Sequence, residues 1–431
     1  MATGKPQGRR DEAERSAHFQ PRIESLRGIA ALMVAVFHSI HLLPVDGIAQ
    51  VYLRTIWDIR GPQALLTRLL MVFFNGGAAV SLFFVMSGFV LALSLGRDPR
   101  PVPQLGKAFL TRRFFRIYPP LALNVLLYAA AMWIVSSGWP RLYNDPPPTP
   151  RAIFDNLILI DKGVNGATWS LAVELLAVPF IFLAHLFTRG RSPWLILVPA
   201  ILARIALYAR WMLVRRPYLY LYLFMFLWGM AVAELGPLVS RWVSRRAAGV
   251  VLMVGFALLL GARFVFGYWS RASLGVEAIG AALVVAVVAY GPDLRALALL
   301  DGSAVRFLGR TSYSFYLYHP VFLSLGVPIV MWSLSSTSLA ASYPLAVGFL
   351  IALTTVPPTL VAGKLSFDRI ERPAVRWGRR VEGWLLEPVL QPPADTRRAA
   401  TARGDHQLPD AGGPSSSSSA AITRSMSSRD V

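Results

Sequence analysis

An all-α, polytopic membrane bundle of about ten transmembrane helices is the fold class this sequence predicts, and three observations predict it. Hydrophobic residues make up 55% of the 431 and charged residues only 15%, where soluble chains carry about 25% charged. Mean hydropathy is +0.50, and apolar runs of about 18–20 residues recur along the chain, each long enough to cross a bilayer. The formal charge of +20 is carried by Lys and Arg placed mainly in short segments between those runs. That is the positive-inside pattern and not a nucleic-acid surface, so no nucleic-acid partner is expected. The chain has no cysteine, which excludes disulfides, a thiolate nucleophile and cysteine metal ligands. No metal centre is expected.

Ten spans are read at about 27–43, 78–96, 118–137, 170–187, 194–213, 217–236, 247–266, 274–290, 314–333 and 343–364. The first follows a polar segment and has no small-residue cleavage site after it, so it is expected to be retained as a helix. With the N-terminus inside, Lys and Arg concentrate on the cytoplasmic side, so both termini are expected there. The basic segment RDPRPVPQLGKAFLTRRFFR is expected to be the longest cytoplasmic loop. The segment SGWPRLYNDPPPTPRAIFDNLILIDKGVNGAT is external, with a short apolar stretch suited to dipping back into the membrane. Residues 1–25 are read as a cytoplasmic N-terminal segment, 26–373 as the membrane domain and 374–431 as a cytoplasmic tail. Ser, Ala, Gly and Pro dominate the tail from about residue 390, so disorder is expected there. With no internal repeat and no second soluble domain, any chemistry falls to the bundle.

The ionisable residues inside the spans are therefore the ones to weigh. In LRGIAALMVAVFHS ten residues separate Arg27 from His38. Eleven steps of about 100° make three turns plus about 20°, so both side chains leave one face, about 16 Å apart along the axis. Arg27 reads either as a membrane-edge anchor or as a binding residue. His38 lies deep, toward the outer half, where a structural hydrogen bond competes with a chemical role; His41, one turn further out, suits the interface. Glu174, one turn into TWSLAVELLAVPF, is placed at a depth similar to His38. There a carboxylate would fix the ring tautomer of a general base, unless Glu174 pairs instead with a membrane arginine such as Arg204 or Arg210.

Arg112, Arg113 and Arg116 in LTRRFFRIYPP serve as a positive-inside flank, and three guanidinium groups among aromatics also suit a phosphate-bearing ligand. Ser87 and Gly88 in SLFFVMSGFVLAL permit close approach of a helix or a ligand. His319, before Pro320, is a candidate for ligand contact or for a structural hydrogen bond. Together these parts suggest a path: phosphates of a long, thin donor such as acyl-coenzyme A at the arginines, its thioester near His38, and the imidazole taking a proton from an acceptor hydroxyl. Direct transfer is more economical than an acyl-enzyme in a chain without cysteine.

These motifs resemble the acyltransferase 3 family, membrane-bound O-acyltransferases that modify glycans and some secondary metabolites. The likeness runs from Leu26 to about Pro373. It comprises the Arg-x10-His pair Arg27 and His38, the second-helix pattern FFVMSGF, and R-x-x-R-x-Y-P at Arg113, Arg116, Tyr118 and Pro119. W-S-L-x-x-E follows at Trp169 and Glu174, then S-Y-x-x-Y-L-x-H at Ser312, Tyr313, Tyr316 and His319, and finally DRIERP with Glu371 and Pro373. One departure is Glu24 in RIESLRG, where many relatives have an aspartate.

The resemblance implies that Arg27 and His38 are essential, with His38 the catalytic base; Glu174 stays the candidate support that its depth suggests. It implies that Arg113 and Arg116 contact the phosphates of coenzyme A; Arg112, Tyr118, Ser87 and Gly88 are read with them as candidates to hold coenzyme A, and Trp169, Tyr316 and His319 as candidates to meet substrate. Acyl-coenzyme A, commonly acetyl, is then a donor substrate and no permanently bound cofactor is expected. The acceptor would be a hydroxyl of a glycan, a glycolipid or a glycosylated metabolite, and the location the cell inner membrane. The competing reading is a solute or acyl-group transporter.

Overall fold

The computed structural model describes residues 7–43, 51–138, 147–208 and 217–386, with no strand among them. The principal helices are α1 (Gln7–His41), α2 (Pro62–Phe73), α3 (Gly76–Gly96), α4 (Val102–Gly138), α5 (Pro150–Leu157), α6 (Trp169–Thr188) and α7 (Leu197–Tyr208). They continue as α8 (Pro217–Ser240), α9 (Arg245–Phe266), α10 (Arg271–Tyr290), α11 (Ser303–Ser333), α12 (Pro344–Ser366) and α13 (Arg372–Leu386). Nine helical segments among the described residues are long and apolar enough to cross a membrane. The expected span at 194–213 is described only in part, as a 3-10 turn, Pro193–Ile196, leading into α7. The apolar stretch among its described residues, Pro193–Ile205, is shorter than a membrane crossing. The expected disordered tail lies outside the described residues.

The basic segment expected as a loop is largely helix. Only a short turn at Arg97–Pro101 separates α3 from α4, and the arginines belong to the third span itself. The interior Pro119 and Pro120 do not end α4, whose 37 residues rise about 55 Å, well beyond the roughly 30 Å of hydrocarbon. Counting from the first apolar residue therefore started this span too late.

Glycines, which lack Cβ, set the closest helix crossings, because in lipid helices associate by packing more than by hydrophobic transfer. The earliest span packs against α11. A Cβ on Gly309 would stand 2.6 Å from the Glu24 carbonyl carbon, so both backbones meet here and larger residues would force them apart. The α3–α8 crossing is similar: a Cβ on Gly88 would lie 2.7 Å from Phe226 Cα, and one on Gly229 2.7 Å from the Phe89 nitrogen. At the head of the α1–α11 pair, Arg22 Nη2 meets Asp301 Oδ2 at 2.6 Å. With Arg22 opposite Asp301, Arg27 opposite Ser312 and His38 opposite His319, α1 and α11 run parallel.

The segment between α4 and α6 does return into the bundle. Asn165 is fully buried; its side chain donates to Asn124 Oδ1 at 2.7 Å and to the Leu317 carbonyl at 3.0 Å. Asn156, also buried, donates to Thr168 Oγ1 at 2.8 Å and accepts from the Asn165 N–H at 2.8 Å. Those bonds satisfy a non-helical stretch away from water, the condition for such a stretch to lie within a membrane protein.

Candidate active site

Pro320 is the local cause of the site's most specific feature. A proline has no N–H, so the carbonyl four residues earlier in α11, that of Tyr316, loses its helical donor. His319 fills the gap from beside it: Nδ1 lies 2.5 Å from Tyr316 O. A carbonyl oxygen only accepts, so Nδ1 carries the proton and, in the neutral ring, Nε2 is bare. That bare nitrogen is 2.9 Å from His38 Nδ1, and the two rings lie 3° from parallel. His38 must therefore donate from Nδ1, which leaves the lone pair on its Nε2. His319 is buried while His38 is half-buried, so the bare nitrogen of His38 belongs to the more open ring of the pair.

Tyr316 sits beneath this pair. Its hydroxyl is 2.9 Å from Ser170 Oγ and 3.3 Å from the Ala167 carbonyl, and its ring meets His319 at 5.3 Å and Phe83 at 5.8 Å. Trp169 packs edge-on to Phe84 at 6.0 Å and tilts against Tyr222 at 5.2 Å. These contacts set α3, α6, α8 and α11 in register around the imidazoles.

The next level along the bundle holds the charges. Arg27 Nε donates to Ser312 Oγ at 3.0 Å. Arg113 Nη2 meets Glu174 Oε1 at 2.6 Å, and Ser87 Oγ donates to the same oxygen at 3.1 Å. Arg116 Nη1 meets the buried Glu371 at 2.6 Å, Ser314 Oγ donates to its other oxygen at 2.7 Å, and the guanidinium lies 5.6 Å from the Tyr313 ring centre. Arg112 bridges Asp98 at 3.1 Å and Glu382 at 3.0 Å, and Arg100 binds both carboxylates at 2.7 Å. The Asp98 carboxyl is held down at about 2, chiefly by the Arg100 hydrogen bond and further by that from Arg112. Asp301 is likewise held below the usual carboxylate range, first by Arg22.

Three expectations change with these contacts. Glu174 is not paired with the imidazole of His38: its partners are Arg113 and Ser87, and His38 has His319 instead. The reason is depth. Ser170 meets Tyr316, and Glu174 lies one turn further along α6, so it drops to the arginine level. Nor is its arginine Arg204, whose Nη2 donates to the Arg271 carbonyl at 2.9 Å; Arg210 lies outside the described residues. Arg112, Arg113 and Arg116 do not form an open triad, since each already faces a carboxylate. At the Arg27 level three guanidinium groups meet two carboxylates, and Arg27 is the one without a carboxylate partner among the described residues. Gly88 faces the Phe226 backbone, and Tyr118 stacks on the exposed Phe114 at 4.9 Å. Helix packing accounts for Gly88; Tyr118 and Phe114 lie one turn apart on α4.

One buried pair escaped the sequence reading. Arg263, 2% exposed, and Glu277, 0% exposed, join at 2.6 Å and 3.1 Å. Ser81 Oγ donates to the carboxylate at 2.7 Å, and Arg263 lies 4.3 Å from the Tyr268 ring centre. The pair ties α3, α9 and α10 near Phe37 and His41, with Gly267 at φ 89 making the turn between α9 and α10. Its signal was present: one arginine and one glutamate, each inside an apolar run.

The chain matches the family model for an acyltransferase domain, Acyl_transf_3, over residues 20–362. Comparison with curated proteins and comparison with solved structures each gave no match.

Proposed function

The chain belongs to the acyltransferase 3 family, and from that premise we propose that it moves an acyl group from acyl-coenzyme A to a hydroxyl of a glycan, glycolipid or glycosylated metabolite. Acetyl is the expected acyl group, and a multi-pass place in the inner membrane the expected location. The observation that carries this reading is the proton order imposed on His38: Tyr316 O fixes His319, and His319 fixes His38 with its lone pair on Nε2.

An acceptor hydroxyl bonded to Nε2 loses its proton to that nitrogen as its oxygen attacks the thioester carbonyl. The tetrahedral intermediate then collapses, the carbon–sulfur bond breaks, and the thiolate takes the proton from Nε2. Ester and coenzyme A thiol result, and the imidazole returns to its starting state. While protonated, His38 still donates from Nδ1 to His319, so a neutral imidazole supports the charge where a carboxylate was expected. Arg27 stands three turns away with unused donors, suited to the donor's phosphates. The paired Arg113 and Arg116 back it, each able to bind a phosphate with the N–H groups its carboxylate leaves.

The test compares envelope glycans, glycolipids and secreted metabolites by mass spectrometry. Cells making the wild-type protein are set against cells making His38→Ala at matched membrane levels. An ester found only with the wild type identifies acceptor and acyl group together. Equal esters in both remove His38 from the chemistry, and no ester in either turns the reading to transport of an unchanged solute.

A further inference from the structure

At the end of the bundle that holds the Arg22–Asp301 pair, an open pocket of about 360 Å³ lies between α11, α12 and the turn that follows α12. Arg310, Lys364 and Arg372 line it together with Asp368, and Phe307, Thr311 and Phe367 complete its walls. Asp368 meets Lys364 at 2.6 Å and Arg372 at 3.6 Å. That single carboxylate holds two cations in place, and Arg310 has no carboxylate partner among the described residues. Three cations against one anion leave the pocket with a formal excess of two positive charges, a setting for a phosphate ester.

What leads to the pocket indicates which phosphate ester fits. Leu350, Leu353, Val361 and Leu365 are exposed on α12. They fall with Lys364 inside about 120° of helix azimuth, a mainly apolar strip, with the exposed Thr354 inside it, that ends in the basic pocket. On α13, which follows the pocket in the chain, Trp377 and Trp384 are exposed, the residue type that favours the membrane–water interface. An apolar strip that runs into a cationic pocket follows the order of acyl chain and headgroup. We propose that this pocket binds the phosphodiester of an anionic phospholipid, with the acyl chains along α12.

The turn carrying Asp368 is a π-helix, Phe367–Glu371, a form often found at functional sites. Its opposite end places Glu371 on Arg116. Headgroup binding therefore bears on the same turn that holds one arginine of the candidate donor site, although the proposal does not depend on the transfer reaction.

The experiment uses the full chain in nanodiscs of neutral phosphatidylcholine. Short-chain phosphatidylglycerol and, separately, adenosine 3′,5′-bisphosphate are titrated and read by native mass spectrometry. Arg310→Gln/Lys364→Gln is expected to weaken phosphatidylglycerol binding about thirtyfold, from roughly fivefold per cation near anionic lipid, with bisphosphate binding unchanged. A variant that loses the bisphosphate and keeps the lipid overturns the lipid assignment in favour of a soluble phosphate ester. A variant with wild-type melting temperature that loses neither overturns the site. If the double variant does not fold, Arg310→Gln decides alone, with about a fivefold loss expected.

Discussion

Replacing His319 by Phe removes the acceptor for His38 Nδ1–H while keeping a flat ring in the buried position. The 2.9 Å bond between the rings is then gone, and the N–H is left to find another partner or to move to the other nitrogen. One neutral hydrogen bond contributes about 1 kcal/mol net, and an orphaned buried donor costs about 1–3 kcal/mol. At about 1.4 kcal/mol per factor of ten, kcat should fall roughly 10- to 100-fold. That is less than the 10²–10⁴-fold expected for loss of the base itself in His38→Ala. His319→Gln offers an oxygen to His38 and an amide N–H to Tyr316 O, so it should recover most of the rate. Initial rates of coenzyme A thiol release, measured with the acceptor identified by mass spectrometry, read the effect, and KM for the donor should not move. A Phe variant within twofold of wild type, or a Gln variant no better than Phe, would refute the proton-order argument.

Pro320→Ala restores an N–H that competes with His319 for the Tyr316 carbonyl. It should lower kcat severalfold without loss of folded protein, and an unchanged kcat would show that the proline does not control the relay. Arg263→Met leaves Glu277 buried and unpaired, which should cost about 3–5 kcal/mol of stability. The double Arg263→Met/Glu277→Leu should recover much of that, both read from thermal unfolding in detergent. Asp98 titrates at about 2 in the folded chain against 3.8 ordinarily. Its stabilisation is complete above about pH 4 and is lost as pH falls toward 2. Asp98→Asn should therefore lower the melting temperature at pH 6 and reduce its decline between pH 4 and 2; parallel curves would argue against the network.

Much of this architecture is legible in the chain because hydropathy reports burial directly. The spans, the shared face of Arg27 and His38, and the membrane position of His319 all follow from periodicity within one helix. Partners on different helices do not. Glu174 was placed by counting from the start of its apolar run, but the segment preceding α6 already lies inside the bundle, and Asn165 anchors it there. The arginines of α4 read in the sequence both as a flank, because charge usually marks a helix end, and as phosphate ligands; three buried or half-buried carboxylates keep them within the span. The tie between Pro320 and His319 was written in adjacent letters. It became readable only once the freed carbonyl was known to have taken its neighbour's ring N–H.

The parallel pairing of α1 with α11 also sets a schedule for biosynthesis. His38 and His319 are 281 residues apart in sequence, and Arg27 waits for Ser312 across a similar interval. While the ribosome is still making the middle of the protein, the first helix is already in the bilayer with its imidazole unoriented. His38 Nε2 thus acquires its lone-pair direction only when the late helix inserts beside the early one. A nascent chain halted before α11 holds both signature residues and none of the relay. Two fragments divided between α10 and α11 carry complementary halves of it, which makes that boundary the natural place to split the protein and reassemble it.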